Sequence, residues 1–420
     1  MTERKNVKSA AEFLQKHRFS LFFFLFLALY HALFVKRLSP WVVDDVTFSF
    51  HAVDFSFGFA TKLLPGAVFN ALFGSHASRT AASVFNTVLM LLFFFGVSVF
   101  LEKMVLQTPQ AQRRPLLILL FFYLSGAYTF SIFTDELGML DSYWLFFSLF
   151  FFCFLEHKVL RYLIPLLFAL SIMIHYSALL NYIVLFAVVL LYRASVAKER
   201  RERRAYLLIF SVSCVVTVAA FLFFVLAETR TLCSMEEFHQ KLEEHGSSFF
   251  LYYDYAFYDQ FSGEVFLPAE VAGIGNGLQR LLLTMFYRIC FNFKLAGSIG
   301  VLVPVALFGG LALLAPILCV FYRFLVHCFR ETHDSLGRFS FFLMLVQFPL
   351  TLTVAMLFSV DSNRWLTHCF LILFTLILTV LYYDKEHREF LFEQMNQYAG
   401  NLETAIYFLG YATIHFWAYF

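Results

Sequence analysis

The sequence predicts an all-α fold, a polytopic transmembrane helical bundle of about 10 spans, with interfacial helices in the first outside loop. Three observations predict it. Of 420 residues 60% are hydrophobic and 60 are phenylalanine, and the mean hydropathy is +0.73, which is more apolar surface than one soluble core hides. The apolar residues gather in runs of the length that about 30 Å of hydrocarbon demands. Basic residues fill alternate connecting loops while acidic residues fill the others, the asymmetry that orients membrane helices.

The elements follow in order. A basic segment, 1–18, precedes the apolar run 19–36. No small-residue cleavage site follows it, so it reads as a retained first helix and not as a signal peptide. Further spans are expected at about 81–102, 115–133, 142–155, 206–227, 298–322, 339–358 and 365–383. The apolar stretch 161–192 is interrupted by His175-Tyr176-Ser177. It is too long for one upright helix, and the spacing predicts two short or tilted helices joined by a polar turn. Charge supports that reading. The loops holding Lys103, Arg113 and Arg114, then Lys158 and Arg161, then Arg193 to Arg204, then Arg323, Arg330 and Arg338 share the side of the amino terminus only if 161–192 crosses twice. That side is taken as cytoplasmic. Lys36 and Arg37 fall on the wrong side, where long cationic side chains reach headgroups by snorkelling. The helical domain thus covers 19–383 and leaves a tail, 384–420, in which 404–420 is either a short eleventh span or an interfacial helix.

Composition also excludes classes. A net charge of +2, with the cations in short loops, gives no footprint for nucleic acid. Seven cysteines are an odd number and form no readable disulfide framework or metal motif. No Asn-x-Ser/Thr sequon occurs, which leans toward a bacterial plasma membrane.

Two outside segments, 38–79 and 228–297, are long enough to build a site. In the first, His51, Asp54, Gly58 and Lys62 recur at helical steps with phenylalanines between them, the pattern of an amphipathic helix along the interface. Leu63-Leu64-Pro65-Gly66 is expected to break it. Its polar face either binds a ligand or merely meets water. The second holds the aromatic run from Leu251 to Phe261, which suits sugar stacking and interfacial anchoring equally. The glycines at 273, 275 and 277 follow no strand and read as a turn.

Small acidic clusters stand at the ends of the apolar runs: Asp44-Asp45, Asp135-Glu136 with Asp141, and Asp361-Ser362-Asn363-Arg364. A first transmembrane helix, a long outside loop opening with an acidic pair, interfacial helices and a second acidic loop together resemble the GT-C superfamily of integral-membrane glycosyltransferases. The resemblance covers the topology of roughly the first two hundred residues. It implies that Asp44 or Asp45 is a catalytic base or metal-linked acid, and that the donor is a sugar on a polyprenyl phosphate. Ile174 to Leu179 and Asp361 to Trp365 resemble patches of O-antigen-type polysaccharide polymerases. Unlike those families, the chain has no recognisable large outer domain after its last span.

The residue chemistry agrees with this. Moving a sugar to a hydroxyl needs a carboxylate to take the acceptor proton and a cation to steady the departing phosphate. Adjacent helical residues point about a hundred degrees apart, so one of Asp44 and Asp45 is expected to face the site while the other caps the helix that follows. Arg364 is the phosphate candidate, because its fixed donors suit phosphate oxygens. Asp361 is expected either to hold Arg364 or to close a local turn with it. Arg280, Arg288 and Lys294 are further cations beside headgroup or pyrophosphate. Asp54, Lys62, His175 and Tyr176 complete the candidate substrate-binding set, with His175 donating either to substrate or to a backbone carbonyl. Asp135, Glu136 and Asp141 either ligate a divalent ion or form an ordinary solvated loop.

The expected function is transfer from a lipid-linked donor to a glycan acceptor on the outer face. Alternatives are a surface-polysaccharide polymerase, or a transporter, channel or assembly scaffold. Spans almost free of charge, and halves that do not resemble each other, speak against a secondary transporter.

Overall fold

The computed structural model describes residues 15–36, 39–59, 61–74, 78–126, 128–130, 133, 136–231, 237, 240, 244, 279, 283, 286, 302–358, 362–398, 407 and 411. No strand occurs among them. Seven described helices are long and apolar enough to cross a membrane, and the chain is a multi-pass helical membrane protein.

The first helix, α1 (Arg18–Tyr30), continues through a π-turn, His31–Val35. The interfacial segment holds α2 (Asp45–Ala52), a 3-10 turn (Phe55–Phe57) and α3 (Leu64–Phe73). Then come α4 (Arg79–Gln107), α5 (Arg113–Ser125), α6 (Leu140–Glu156), α7 (Ile164–Ile174), α8 (Tyr182–Val196) and α9 (Arg200–Thr231). The later helices are α10 (Leu302–Glu331), α11 (Ser335–Phe358), α12 (Ser362–Tyr383) and α13 (Lys385–Tyr398).

The expected interruption at 175–177 is present: α7 ends at Ile174, a 3-10 turn covers Tyr176–Leu179, and α8 follows. Helix α12 is the central element. Burial reaches 83% over its apolar window against 28% for α1 and α9, so its residues face other helices almost all round. It packs on α8, α10 and α11, while α1 lies on α4 and α7 on α9.

Helix direction sorts the charges onto two ends. At the basic end, Arg161 meets Glu202 at 3.7 Å, Arg203 meets Asp334 at 3.2 Å, and His17 meets Glu102 at 3.4 Å. The Arg193 guanidinium lies 3.8 Å over the Tyr383 ring, whose hydroxyl donates to Glu156. The buried Arg388 donates to the Leu381 carbonyl at 2.7 Å and so satisfies the C-terminal end of α12. The opposite, acidic end carries α2, α3, the turn after α7 and the starts of α4, α6 and α12.

The interfacial segment differs from the single amphipathic helix expected from the sequence. Its helix stops at Ala52, and Leu64-Pro65-Gly66 starts the next one, with proline at the first turn where its missing N–H is no loss. Gly66 is required there, because a Cβ would sit 1.6 Å from the Val53 carbonyl oxygen. His51 and Lys62 are buried, not turned to water, while Phe59 is 48% exposed. At a bilayer margin, apolar side chains are free to face lipid while polar ones turn inward to partners.

Candidate functional site

A charged cluster stands at the acidic end, at the heads of α6 and α12. The turn before α6 passes through Gly138 at φ +85°, where a Cβ would meet the Asn86 amide at 2.8 Å. This turn places Asp141 in the first turn of α6, where the helix dipole favours a carboxylate. On α12, Arg364 and His368 are four residues apart and share a face. Arg364 donates through Nε to the Asp141 carboxylate, and His368 Nε2 lies 3.3 Å from the same oxygen. The carboxylate can only accept, so Nε2 carries the proton. Nδ1 is then the acceptor for the Tyr182 hydroxyl, 3.4 Å away. Phe133, Trp144, Tyr182 and Trp365 surround the imidazole, with ring centroids 5.3 to 6.2 Å from it. The Asp141 side chain is 7% exposed and that of Arg364 24%. The guanidinium thus sits between a dry interior and the surface, held by a carboxylate, which suits it to an anionic group such as phosphate. The Asp141–His368–Tyr182 chain also orients an imidazole that can exchange a proton through its hydroxyl neighbour.

Beneath the cluster runs an apolar cleft between α4, α5, α6, α8 and α12. Its upper walls are Leu145, four residues below Asp141, and Ile372, four residues below His368, with Tyr182 at the same level. Cluster and cleft therefore occupy one face of each helix.

A second polar group lies beside α2. His51 donates through Nδ1 to the Thr47 carbonyl at 2.9 Å, and its Nε2 is 2.8 Å from both the Tyr143 hydroxyl and the Asn86 amide nitrogen. Burial, partly countered by the hydrogen bonds to Thr47 and Asn86, lowers its pKa to about 4. It is a neutral structural histidine joining α2 to α4 and α6.

The sequence-derived candidates divide as follows. Asp44 caps α2, its Oδ1 accepting the Thr47 N–H at 2.6 Å, which leaves Asp45, the first residue of that helix, as the other member of the pair. Asp54 accepts the Ser56 N–H at 2.8 Å and the Asn70 amide at 2.9 Å, and holds the turn between α2 and α3. Lys62 has φ +74° and is the one described non-glycine residue in the left-handed region; backbone strain of this kind gathers at functional positions. Its N–H donates to the Met173 carbonyl at 2.9 Å, which ties the segment to the end of α7. Two residues on, His175 caps the following turn by accepting the Ser177 N–H at 3.0 Å, and the Tyr176 ring packs on Phe221.

Among the described residues, Arg364 pairs with the carboxylate of Asp141, 223 residues away. Asp135, Asp361, Arg280, Arg288, Lys294 and the aromatic run 251–261 lie outside the described residues. With Asp141 engaged by Arg364 and His368, no three His, Cys, Asp or Glu side chains among the described residues come together as a metal site. Sequence reasoning missed His368 and Tyr182. For His368 a signal existed, since a histidine four residues after the arginine lies on the same helical face.

No family model, curated protein or solved structure matches the chain.

Proposed function

We propose that this protein is a membrane glycosyltransferase that takes a sugar from a polyprenyl-phosphate-type donor and passes it to a hydroxyl acceptor at the acidic end of the bundle, on the face away from the cytoplasm. The observation that supports it is the Asp141–Arg364–His368 cluster standing directly over an apolar cleft. A phosphate with a hydrocarbon tail has the two characters this pairing complements: an anion for the guanidinium and a chain for the cleft. In this reading Asp45 is the base that takes the acceptor proton, Asp44 holds the helix that presents it, and Arg364 steadies the departing phosphate. The bundle crosses about ten times: the seven long helices together with α5, α6 and α7, whose directions complete the alternation of basic and acidic ends.

The test is mass spectrometry of lipid-linked sugars and surface glycans in cells lacking the protein, complemented with wild type, Arg364→Lys or Arg364→Ala. Loss of one decoration, restored by wild type only, is expected, because lysine keeps the charge but not the planar fork. Accumulated single repeat units would indicate a polymerase instead. Wild-type glycans from a stably folded Arg364→Ala protein would remove the phosphate role.

A further inference from the structure

Five of the residues lining the cleft beneath the charged cluster carry hydroxyls: Tyr123, Ser148, Tyr182, Thr375 and Thr379. A hydroxyl has one hydrogen to donate and two lone pairs with which to accept, so what it offers a ligand depends on where its hydrogen goes. Ser148 donates to the Trp144 carbonyl at 2.9 Å, Thr375 to the Leu371 carbonyl at 2.8 Å and Thr379 to the Thr375 carbonyl at 2.7 Å. The Tyr123 hydroxyl lies 3.0 Å from Thr375 Oγ1. With the threonine hydrogen already given to Leu371, the tyrosine is the donor of that pair. Tyr182 gives its hydrogen to Nδ1 of His368, whose Nε2 proton faces Asp141. All five hydrogens are thus used inside the protein, and the N–H groups of the surrounding helices are used by the helices themselves. No charged side chain is among the described residues that line the cleft. The polar character left to its walls is a set of acceptor lone pairs.

That remainder selects a ligand. An oxygen that only accepts, as in an ether or a ketone, finds no hydrogen there and is buried unpaired. An ammonium would match the lone pairs but would enter an apolar space with no counter-charge on its walls. A neutral O–H group on an apolar body satisfies both conditions. The walls favour an aromatic body: Phe130 stands edge to face with Phe93 and with Tyr123, at 5.4 and 5.0 Å between centroids, and a further flat ring extends such packing. At the deep end Phe100 lies 5.7 Å from Phe152 and 5.1 Å from Tyr382. Rings therefore bound the cleft there, ahead of the charged group of Glu156, Tyr383 and Arg193.

We infer that this cleft binds a neutral phenol-class molecule, an apolar aromatic body whose O–H is accepted by the wall hydroxyl oxygens. Such a molecule fills space that the chain of the proposed donor also enters, so the two compete. The site itself does not rest on the donor, because its selectivity comes from the hydroxyl hydrogens alone.

The test is equilibrium binding of para-hexylphenol to the purified full chain in one detergent, with its methyl ether, para-hexylanisole, as comparator and no lipid-linked sugar present. Wild type should prefer the phenol by about tenfold, the worth of one buried hydrogen bond against an unpaired acceptor. Ser148→Phe should weaken the phenol by filling the cleft. Thr375→Val keeps the side-chain shape but removes the acceptor of the Tyr123 hydrogen, which then becomes available to a ligand. This variant should bind the ether several-fold more tightly than wild type does, a gain that misfolding does not produce. Equal affinity of wild type for phenol and ether would overturn the donor assignment. So would an unchanged preference in Thr375→Val. Phenol binding indifferent to Ser148→Phe in protein of wild-type Tm would remove the cleft as the site. Because no donor is present, these results stand apart from whether the protein transfers sugar.

Discussion

The ion pair between Asp141 and Arg364 yields the most exacting prediction. Asp141→Leu would leave a guanidinium 24% exposed and an imidazole 3% exposed without their carboxylate. Breaking a buried pair by removing one partner costs about 3–5 kcal/mol. Here the arginine can turn toward the surface, so about 2–3 kcal/mol is expected. Arg364→Met strands the carboxylate instead; His368 still faces it, so the loss is similar or smaller. The double variant replaces both charges with apolar groups of comparable size, a change that is often neutral, and should recover most of the loss. The coupling energy, the sum of the single losses less that of the double, is then about 3–4 kcal/mol, at or just above the upper end of what contacting residues show. The assay is reversible chemical denaturation of the four proteins in one detergent, run beside glycan output in cells. Single-variant losses that add to within about 0.5 kcal/mol would show that the two side chains do not interact. A double variant that is both stable and fully active would refute the view that the pair exists to place a phosphate-binding group.

Three further outcomes are expected. His51 is neutral in the fold because its pKa is lowered to about 4, whereas in the unfolded chain it protonates near the ordinary value; the unfolded state therefore binds more protons below about pH 6.5, and stability should fall as pH drops from there toward 4, by up to about 1.4 kcal/mol per pH unit. A Tm-against-pH series for His51→Gln should be flatter than wild type in that window, and an unchanged slope would refute the assignment. Asp44→Ala should cost about 1 kcal/mol through loss of the α2 cap, whereas Asp45→Asn should abolish transfer with little change in Tm; full activity in both single variants and in the double would remove the base assignment. Finally, cysteine at Ser78 should react with an impermeant thiol reagent on intact cells and cysteine at Lys158 only after permeabilisation, and the reverse pattern would invert the orientation.

Much of the bundle was legible because apolar runs and loop charges are long-wavelength signals. The first run, 19–36, matches α1 and its π-turn at Arg18–Val35, and the polar interruption at His175 falls where α7 gives way to a turn. The run 115–133 was overestimated: α5 stops at Ser125, and Gly126 leaves the helix. The interfacial segment misled for a physical reason. Polar residues at helical spacing imply a polar face along the interface, open to ligand or water, but in a lipid-bounded fold polarity is also satisfied inward, so His51 is fully buried among Thr47, Asn86 and Tyr143. The charged cluster was half legible. Arg364 announced itself by standing at the head of an apolar run, and Asp141 by its place after an acidic pair, but nothing local tells that residues 223 apart meet. The sequence sets Asp361 beside Arg364 and leaves Asp141 between a metal ligand and a solvated loop; the contact between Asp141 and Arg364 is a tertiary fact that neighbours in sequence do not present.

The two ends of the bundle use charge differently, and the contrast bears on function. At the basic end, Arg161, Arg203 and Glu202 are partly exposed and their pairs join neighbouring helix ends at 3.2 to 4.0 Å. Such pairs contribute little, at most about 1 kcal/mol each, and cost little, since water solvates what the partner does not. At the acidic end the protein buries Asp141 and His368 among aromatic rings, where desolvation offsets most of the Coulombic attraction. A fold needing only to fasten α6 to α12 would do as well with leucine and phenylalanine, as the surrounding Trp144, Phe133 and Leu145 already do. What an apolar contact cannot do is hold a guanidinium at a fixed place on a lipid margin, from which a long cationic side chain otherwise snorkels toward headgroups. The carboxylate at the head of α6 therefore makes sense as a positioning group whose role is to keep Arg364 over the mouth of the cleft.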